Sequence, residues 1–209
     1  MIRDRILGTS GGYGAFRRLI KADRSMQVVV DEYMKPQPGG RVLDIGCGNA
    51  DLAGLLPAGV TYVGLDNNPK YIASAKARGL DVIEANVDEL GTLGYEPFDV
   101  VVAVGVLHHL DDVTAKRLIA DVGAVLSPTG RFVTFDPVNH PNQSYVSRTI
   151  MRFDRGRHIR VEAGYVQLIS QTFDSPSVTV RYDLNPFPYA HCIIVAEAAA
   201  AATRPDAGR

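Results

Sequence analysis

Residues 40–50 read Gly40-Arg41-Val42-Leu43-Asp44-Ile45-Gly46-Cys47-Gly48-Asn49-Ala50. An apolar run (Val42, Leu43, Ile45) carries one acid, Asp44, and breaks into two glycines. That pattern predicts a buried strand delivering a carboxylate and a glycine turn to the edge of a sheet, where a helix can begin. Glycine at such a turn lets the backbone adopt φ > 0, or approach a ligand with no Cβ in the way. A tight strand–helix turn with no ligand has the same look, so the neighbouring residues must decide.

A dinucleotide fingerprint wants a third glycine, Gly-x-Gly-x-x-Gly, for close helix–strand packing. Here that position is Asp51, a carboxylate that a pyrophosphate would repel. Further on, Thr61-Tyr62-Val63-Gly64-Leu65-Asp66 reads as a second strand ending in an acid. An ionised carboxylate there suits the two vicinal hydroxyls of a ribose. Asn67-Asn68-Pro69 turns the chain into a helix over 71–77, with proline tolerated in its first turn. A ribose without a phosphate bridge over the glycines fits S-adenosylmethionine.

Four segments, in order, resemble the class I S-adenosylmethionine-dependent methyltransferases. They are Val42 to Gly48, Val63 to Asp66, Phe98-Asp99-Val100-Val101-Val102 followed by Gly105-Val106-Leu107-His108-His109-Leu110, and Leu126-Ser127-Pro128-Thr129-Gly130-Arg131-Phe132. The resemblance covers roughly residues 40–137 and is to the small-molecule type. It implies a single Rossmann-like α/β domain. The expected sheet is seven-stranded and mostly parallel, with helices on both faces and a C-terminal antiparallel hairpin.

The alternation of the chain agrees. Further strands are expected over 80–85, 100–104, 131–135, 178–182 and 192–196, and helices over 25–33 and 112–126. In the latter Val113, Leu118, Ile119, Val122 and Val125 are expected on one face. Such βα alternation makes a parallel sheet that binds ligands past the carboxyl ends of its strands. The domain is expected to span 1–197, with an N-terminal helical lid over 1–38, an acceptor-side insertion over 139–172 and a disordered tail over 198–209.

A length of 209 residues suits one domain, and a net charge of −1 gives no global pull toward nucleic acid or membrane. No signal-like N-terminus or spanning apolar run is present, so a cytoplasmic protein without membrane insertion is expected. The two cysteines, Cys47 and Cys192, lack metal-ligand spacing and read as space-fillers; no metal is expected.

The resemblance assigns residues to the cofactor. Asp44 would hold the glycine turn and the ligand's ammonium, Gly46 and Gly48 would admit the methionine part, and Asp66 would take the ribose. Asn67 would lie against the adenine. Asn86 stands where the family often has an acid for the adenine amine; its side-chain oxygen can still accept, with Val87 giving a backbone donor. Val104, at the end of the fourth strand, completes the wall. Tyr13 and Phe16 follow a flexible glycine pair and either close over the cofactor or simply pack the helix.

His108 and His109 fall on the loop facing the transferable methyl in this architecture. A neutral imidazole there can take a proton from a hydroxyl or amine. Neighbours on a loop point differently, so one is expected inward, His109, and one outward. Packing or capping is the plain alternative for either, and alignment alone carries much of a methyl transfer.

After the fifth strand, Asp136 and then Arg148, Arg152, Arg155, Arg157 and Arg160 crowd into a region where the resembled fold builds its acceptor pocket. Arg155, Arg157, His158, Asp136 and Tyr189 are the candidate acceptor residues. Two readings stand: a solvated basic face, or recognition of an anionic sugar, lipid or carboxylated metabolite. The expected product of the cofactor is S-adenosylhomocysteine. Other functions stay open, an RNA or protein methyltransferase or a non-catalytic binder of the cofactor. The absence of an Asn-Pro-Pro-Tyr-like motif after the fourth strand disfavours base-amine chemistry and leaves a hydroxyl, carboxyl or amine as acceptor.

Overall fold

The computed structural model describes residues 22–141, 143, 145, 147, 156–184 and 190–198. Seven strands form one sheet in the order β3-β2-β1-β4-β5-β7-β6. They are β1 Arg41–Ile45, β2 Thr61–Asp66, β3 Val82–Glu84, β4 Phe98–Val104, β5 Leu126–Pro137, β6 Ser177–Arg181 and β7 His191–Glu197. The first five run parallel, β7 returns antiparallel beside β5, and β6 pairs antiparallel with β7. This is the Rossmann-like sheet with a C-terminal hairpin that the resemblance implies.

Side-chain alternation sorts the core into two layers. Leu43, Ile45, Val63, Leu65, Val101 and Ala103 face one side, under helices α3 (Asp112–Val125) and α4 (Glu162–Ile169). Val42, Val100, Val102, Val133 and Phe135 face the other, under the N-terminal helix α1 (Ala22–Val28). Helix α2 (Pro69–Ala77) packs on that second side at its β2 edge, through Ile72, Ala75 and Val82. Asn68 starts α2 by accepting from the Lys70 N–H, with Pro69 in the first turn, as the sequence predicts.

Three expectations shift. The helix expected over 25–33 is α1 followed by a π-helical stretch, Val29–Met34, that ends at Lys35 in the left-handed region. In α3 the buried stripe is Ala115, Leu118, Ile119 and Val122, a regular i, i+3, i+4, i+7 set, so Val113 falls off it and is 79% exposed. β5 begins earlier than residue 131 because Leu126 pairs with Phe98 before the ladder resumes at Val100 with Arg131, past a bulge.

Tyr13, Phe16, Arg148, Arg152, Arg155 and Tyr189, and with them most of the lid and the tail beyond 198, lie outside the described residues. Among the described residues no helix is long and apolar enough to cross a membrane.

Candidate functional site

The carboxyl ends of β1, β2 and β4 meet in a cleft of about 680 Å³. Its floor is tied by backbone bonds between neighbouring strand ends. The N–H groups of Gly46 and Cys47 donate to the Leu65 carbonyl at 2.7 and 3.0 Å, and that of Gly105 to Phe135 at 2.8 Å. Gly46 (φ +68°) and Gly105 (φ +65°) both hold left-handed backbone where the chain leaves a strand. A Cβ on Gly46 would come within 2.7 Å of a Val106 methyl, so that strand end closes tightly only with glycine.

Asp66 is the strut of this floor. One carboxylate oxygen accepts from the Gly48 N–H at 2.9 Å and the other from the Asn68 N–H at 2.8 Å. A carboxylate offers about four lone-pair sites, so capping the glycine loop still leaves one on each oxygen. Two donors a diol's width apart can use them. Loop-capping and ribose recognition are therefore compatible in this geometry.

Of the expected cofactor residues, Gly46, Asp66, Asn67, Asn86 and Val87 line the cleft. Asn86 is also heavily used inside the protein. Its side chain caps the short helix Val87–Thr92 in a box with Glu89, and its oxygen accepts from Asn67 Nδ2 at 3.1 Å. Asp44 is 4% exposed, beneath the glycine loop, and accepts from the Tyr62 hydroxyl at 2.8 Å. Asp44, Gly48 and Val104 are not on the lining. Leu65, Ala85, Asp88, Gly105, Val106, Leu110 and Thr114 are, and were not singled out from sequence. For Gly105 the signal was there: a glycine at the end of an apolar strand.

The two histidines part company. His108 is 6% exposed and turns into the protein, where both its backbone N–H (3.1 Å) and its Nδ1 (2.8 Å) contact one Asp136 oxygen. Asp136 is itself 1% exposed, and its other oxygen has no hydrogen-bond partner among the described residues. His109 is exposed and stands on the cleft wall, its ring 4.0 Å from that of His108. The inward turn toward the cleft and the burial in the core thus belong to different residues of the pair.

The arginine-rich segment also divides. Arg157 is exposed, and the His158 N–H donates to the His108 carbonyl at 2.9 Å. Arg160 spends all five donors within the protein. Nη1 reaches the carbonyls of Leu107 and His158, Nη2 that of Leu110, and Nε and Nη2 the Asp112 carboxylate. This guanidinium is a clamp on the histidine loop. Nothing is left on it for a ligand. Among the described residues no group of three or more His, Cys, Asp or Glu could hold a metal.

A doubly wound sheet, a glycine loop at its first strand and an acid at its second define a nucleoside-binding α/β domain. Residues 42–130 match the methyltransferase domain family model. Two ubiquinone biosynthesis O-methyltransferases are similar in sequence. That of Hahella chejuensis is 31% identical over 52% of this chain and 48% of its own length. That of Azorhizobium caulinodans is 33% identical over 57% of this chain and 46% of its own. The chain thus spans about half the length of these relatives. A phosphoethanolamine N-methyltransferase of Haemonchus contortus, solved with phosphomonomethylethanolamine and S-adenosylhomocysteine, superposes with TM-score 0.72 at 16% identity, over 93% of this chain and 58% of that one. These matches support a class I S-adenosylmethionine-dependent methyltransferase domain over residues 42–130, with S-adenosylmethionine as its cofactor. The open lone pairs of Asp66 and the cradle at Gly46 fit such a ligand.

Proposed function

We propose that the protein transfers a methyl group from S-adenosylmethionine to a hydroxyl or amine of a small molecule. The observation that carries this reading is one continuous cleft wall that begins at Asp66, Asn67 and Asn86 and ends at His109. The names of the sequence relatives favour an oxygen acceptor. S-adenosylmethionine, when bound, supplies an electrophilic methyl on a sulfonium. The protein's part is to hold the ribose hydroxyls on Asp66, keep the ammonium near the Asp44 carboxylate, and lay the adenine beside Asn67, with its amine toward the Asn86 oxygen and a ring nitrogen toward the Val87 N–H.

On the acceptor side, His109 takes the proton that the hydroxyl or amine gives up as its oxygen or nitrogen gains the methyl. His108, braced by Asp136, keeps the loop and therefore His109 in place. The exposed Arg157 is available to an anionic group of the acceptor; Arg155 and Tyr189, which lie outside the described residues, are the other candidates for that role. In this arrangement Asp136 and His158 serve the acceptor through the histidine loop they hold.

The test is transfer of labelled methyl to a panel of phenols, amines, carboxylates and phosphorylated metabolites. His109→Gln is expected to lower kcat on the best acceptor about 10²–10⁴-fold, the usual range for a positioned acid–base group, with S-adenosylhomocysteine affinity unchanged. An unaltered kcat would leave alignment as the whole of the catalysis. Cofactor binding without turnover on any panel member would turn the reading toward a non-catalytic binder.

A further inference from the structure

Asp44 sits directly opposite Gly64 in the β1–β2 register, and Val42 opposite Tyr62. Residues two apart on a strand share a face, so Tyr62 and Asp44 are diagonal neighbours on one side of the sheet. Gly64, between them, contributes no side chain. A Cβ there would lie 2.9 Å from the Tyr62 hydroxyl, 2.8 Å from the Cys47 thiol and 3.0 Å from a Val82 methyl. The empty position is what lets a half-buried tyrosine reach along the strand and place its hydroxyl on Asp44, at 2.8 Å.

The arrangement matters because Asp44 is a carboxylate only 4% exposed. A charge that deep in a fold is held by donors aimed at it. Burial first, and the Asp44 charge next, drive the Tyr62 phenol far above its ordinary pKa, so its proton stays on the oxygen as a donor at any working pH.

We propose that Tyr62 is a positioning residue of the cofactor site: its hydroxyl fixes the orientation of the Asp44 carboxylate, and so the grip of the protein on the amino-acid end of the donor. The inference rests on the reading that Asp44 meets the ligand's ammonium. Neither Tyr62 nor Asp44 is on the cleft lining; Asp44 lies beneath the glycine loop, which reaches the lining at Gly46, so the effect of Tyr62 is relayed through Asp44 under that loop.

Two ligands separate the parts. S-adenosylhomocysteine carries the nucleoside and the amino acid; 5′-methylthioadenosine carries the nucleoside and sulfur without the amino acid. Calorimetric affinities for both are measured on the full chain. Tyr62→Phe, which removes one oxygen and keeps the ring, is expected to weaken S-adenosylhomocysteine about tenfold, the scale of one hydrogen bond to a charged group. Methylthioadenosine affinity is expected to stay within about twofold, and Asp44→Asn to show the same selective loss. In an Asp44→Asn background Tyr62→Phe is expected to add nothing further.

Equal weakening of both ligands by Tyr62→Phe, or no weakening of either, overturns the positioning role. If instead Asp44→Asn leaves the ratio of the two affinities untouched, the ammonium reading itself falls. Should Tyr62→Phe not fold, Gly64→Ala in a Cys47→Ala background tests the same link. There the new methyl meets the hydroxyl at 2.9 Å and a Val82 methyl at 3.0 Å, without the thiol, and the same ligand-selective loss is expected as the hydroxyl is displaced. Its absence overturns the proposal.

Discussion

At the residue scale the glycine loop hides a thiol. Cys47 is half-buried between Gly46 and Gly48, with its sulfur near Tyr62 and Gly64. Burial, reinforced by the charges of Asp44 and Asp66, pushes its pKa up to about 12. Only the thiolate attacks an alkylating reagent, so at pH 8 on the order of one molecule in 10⁴ is reactive there. Burial also raises Cys192 to about 12. The expected outcome is a native chain that resists iodoacetamide at pH 8 and gains both labels in denaturant, read by intact mass. Raising the pH toward 10 should speed native labelling tenfold per unit, because the thiolate fraction rises as pH approaches the raised pKa. Rapid native labelling of Cys47 at pH 8 would show that its surroundings are more open. Cysteine in a glycine loop reads from sequence as a space-filler. The burial that makes it inert, and the Asp66 charge that reinforces it from another strand, are not visible in the local pattern.

At the scale of elements, the histidine loop stands because a segment distant in sequence holds it. His108 is anchored by Asp136 at the end of β5, and Leu107 and Leu110 give their carbonyls to Arg160, just before α4. Arg160 also lies 5.7 Å over the Tyr165 ring, whose hydroxyl donates to the Pro137 carbonyl. Its partner Asp112 is 68% exposed, so that ion pair contributes little, although the Arg160 hydrogen bond and charge hold the Asp112 carboxyl below its usual range. The carbonyls decide the matter. Arg160→Met keeps the stem over Tyr165 but strands three acceptors, and is expected to cost about 2–4 kcal/mol in denaturant unfolding. Arg160→Lys should recover only part, since one ammonium cannot span carbonyls that a planar fork reaches together. A loss under about 1 kcal/mol for the Met variant would mean the loop holds its shape unaided. From sequence this arginine is indistinguishable from its neighbours in the basic run. Its role is set by the close approach of the segment before α4 to the loop after β4, a long-range fact. The strands, by contrast, were legible because their apolar runs are short, regular and bounded by turn residues, with β5 misjudged only where a bulge extends it.

At the scale of the whole molecule, the two core layers and the topological reversal at β1–β4 fix where a ligand enters, and the residues at that edge select which one. The glycine loop, Asp66 and Asn86 could be read locally because each follows its strand within a few residues. The proposed acceptor side could not, because its candidate residues are spread in sequence from the end of β5 to the start of β7, with no strand end beside each to mark them. The donor assignment is therefore the one a whole-protein measurement can test most directly. A ligand that binds only the folded state at 100 times its Kd adds about 2.7 kcal/mol of stability. For a domain of this size each kcal/mol moves Tm by about 2–4 °C. S-adenosylhomocysteine near that concentration is expected to raise Tm by about 5–10 °C, and NADH or ADP at equal concentration by less than about 1 °C. The contrast is sharp because Asp51 occupies the third-glycine position of a dinucleotide loop, and in the fold it sits at the head of the short helix Asp51–Leu55, ion-paired to Arg78 at 3.4 Å. A pyrophosphate over that loop would meet this carboxylate, whereas a sulfonium with an amino-acid end would not. An NADH shift equal to that of S-adenosylhomocysteine would return the glycine loop to the dinucleotide reading.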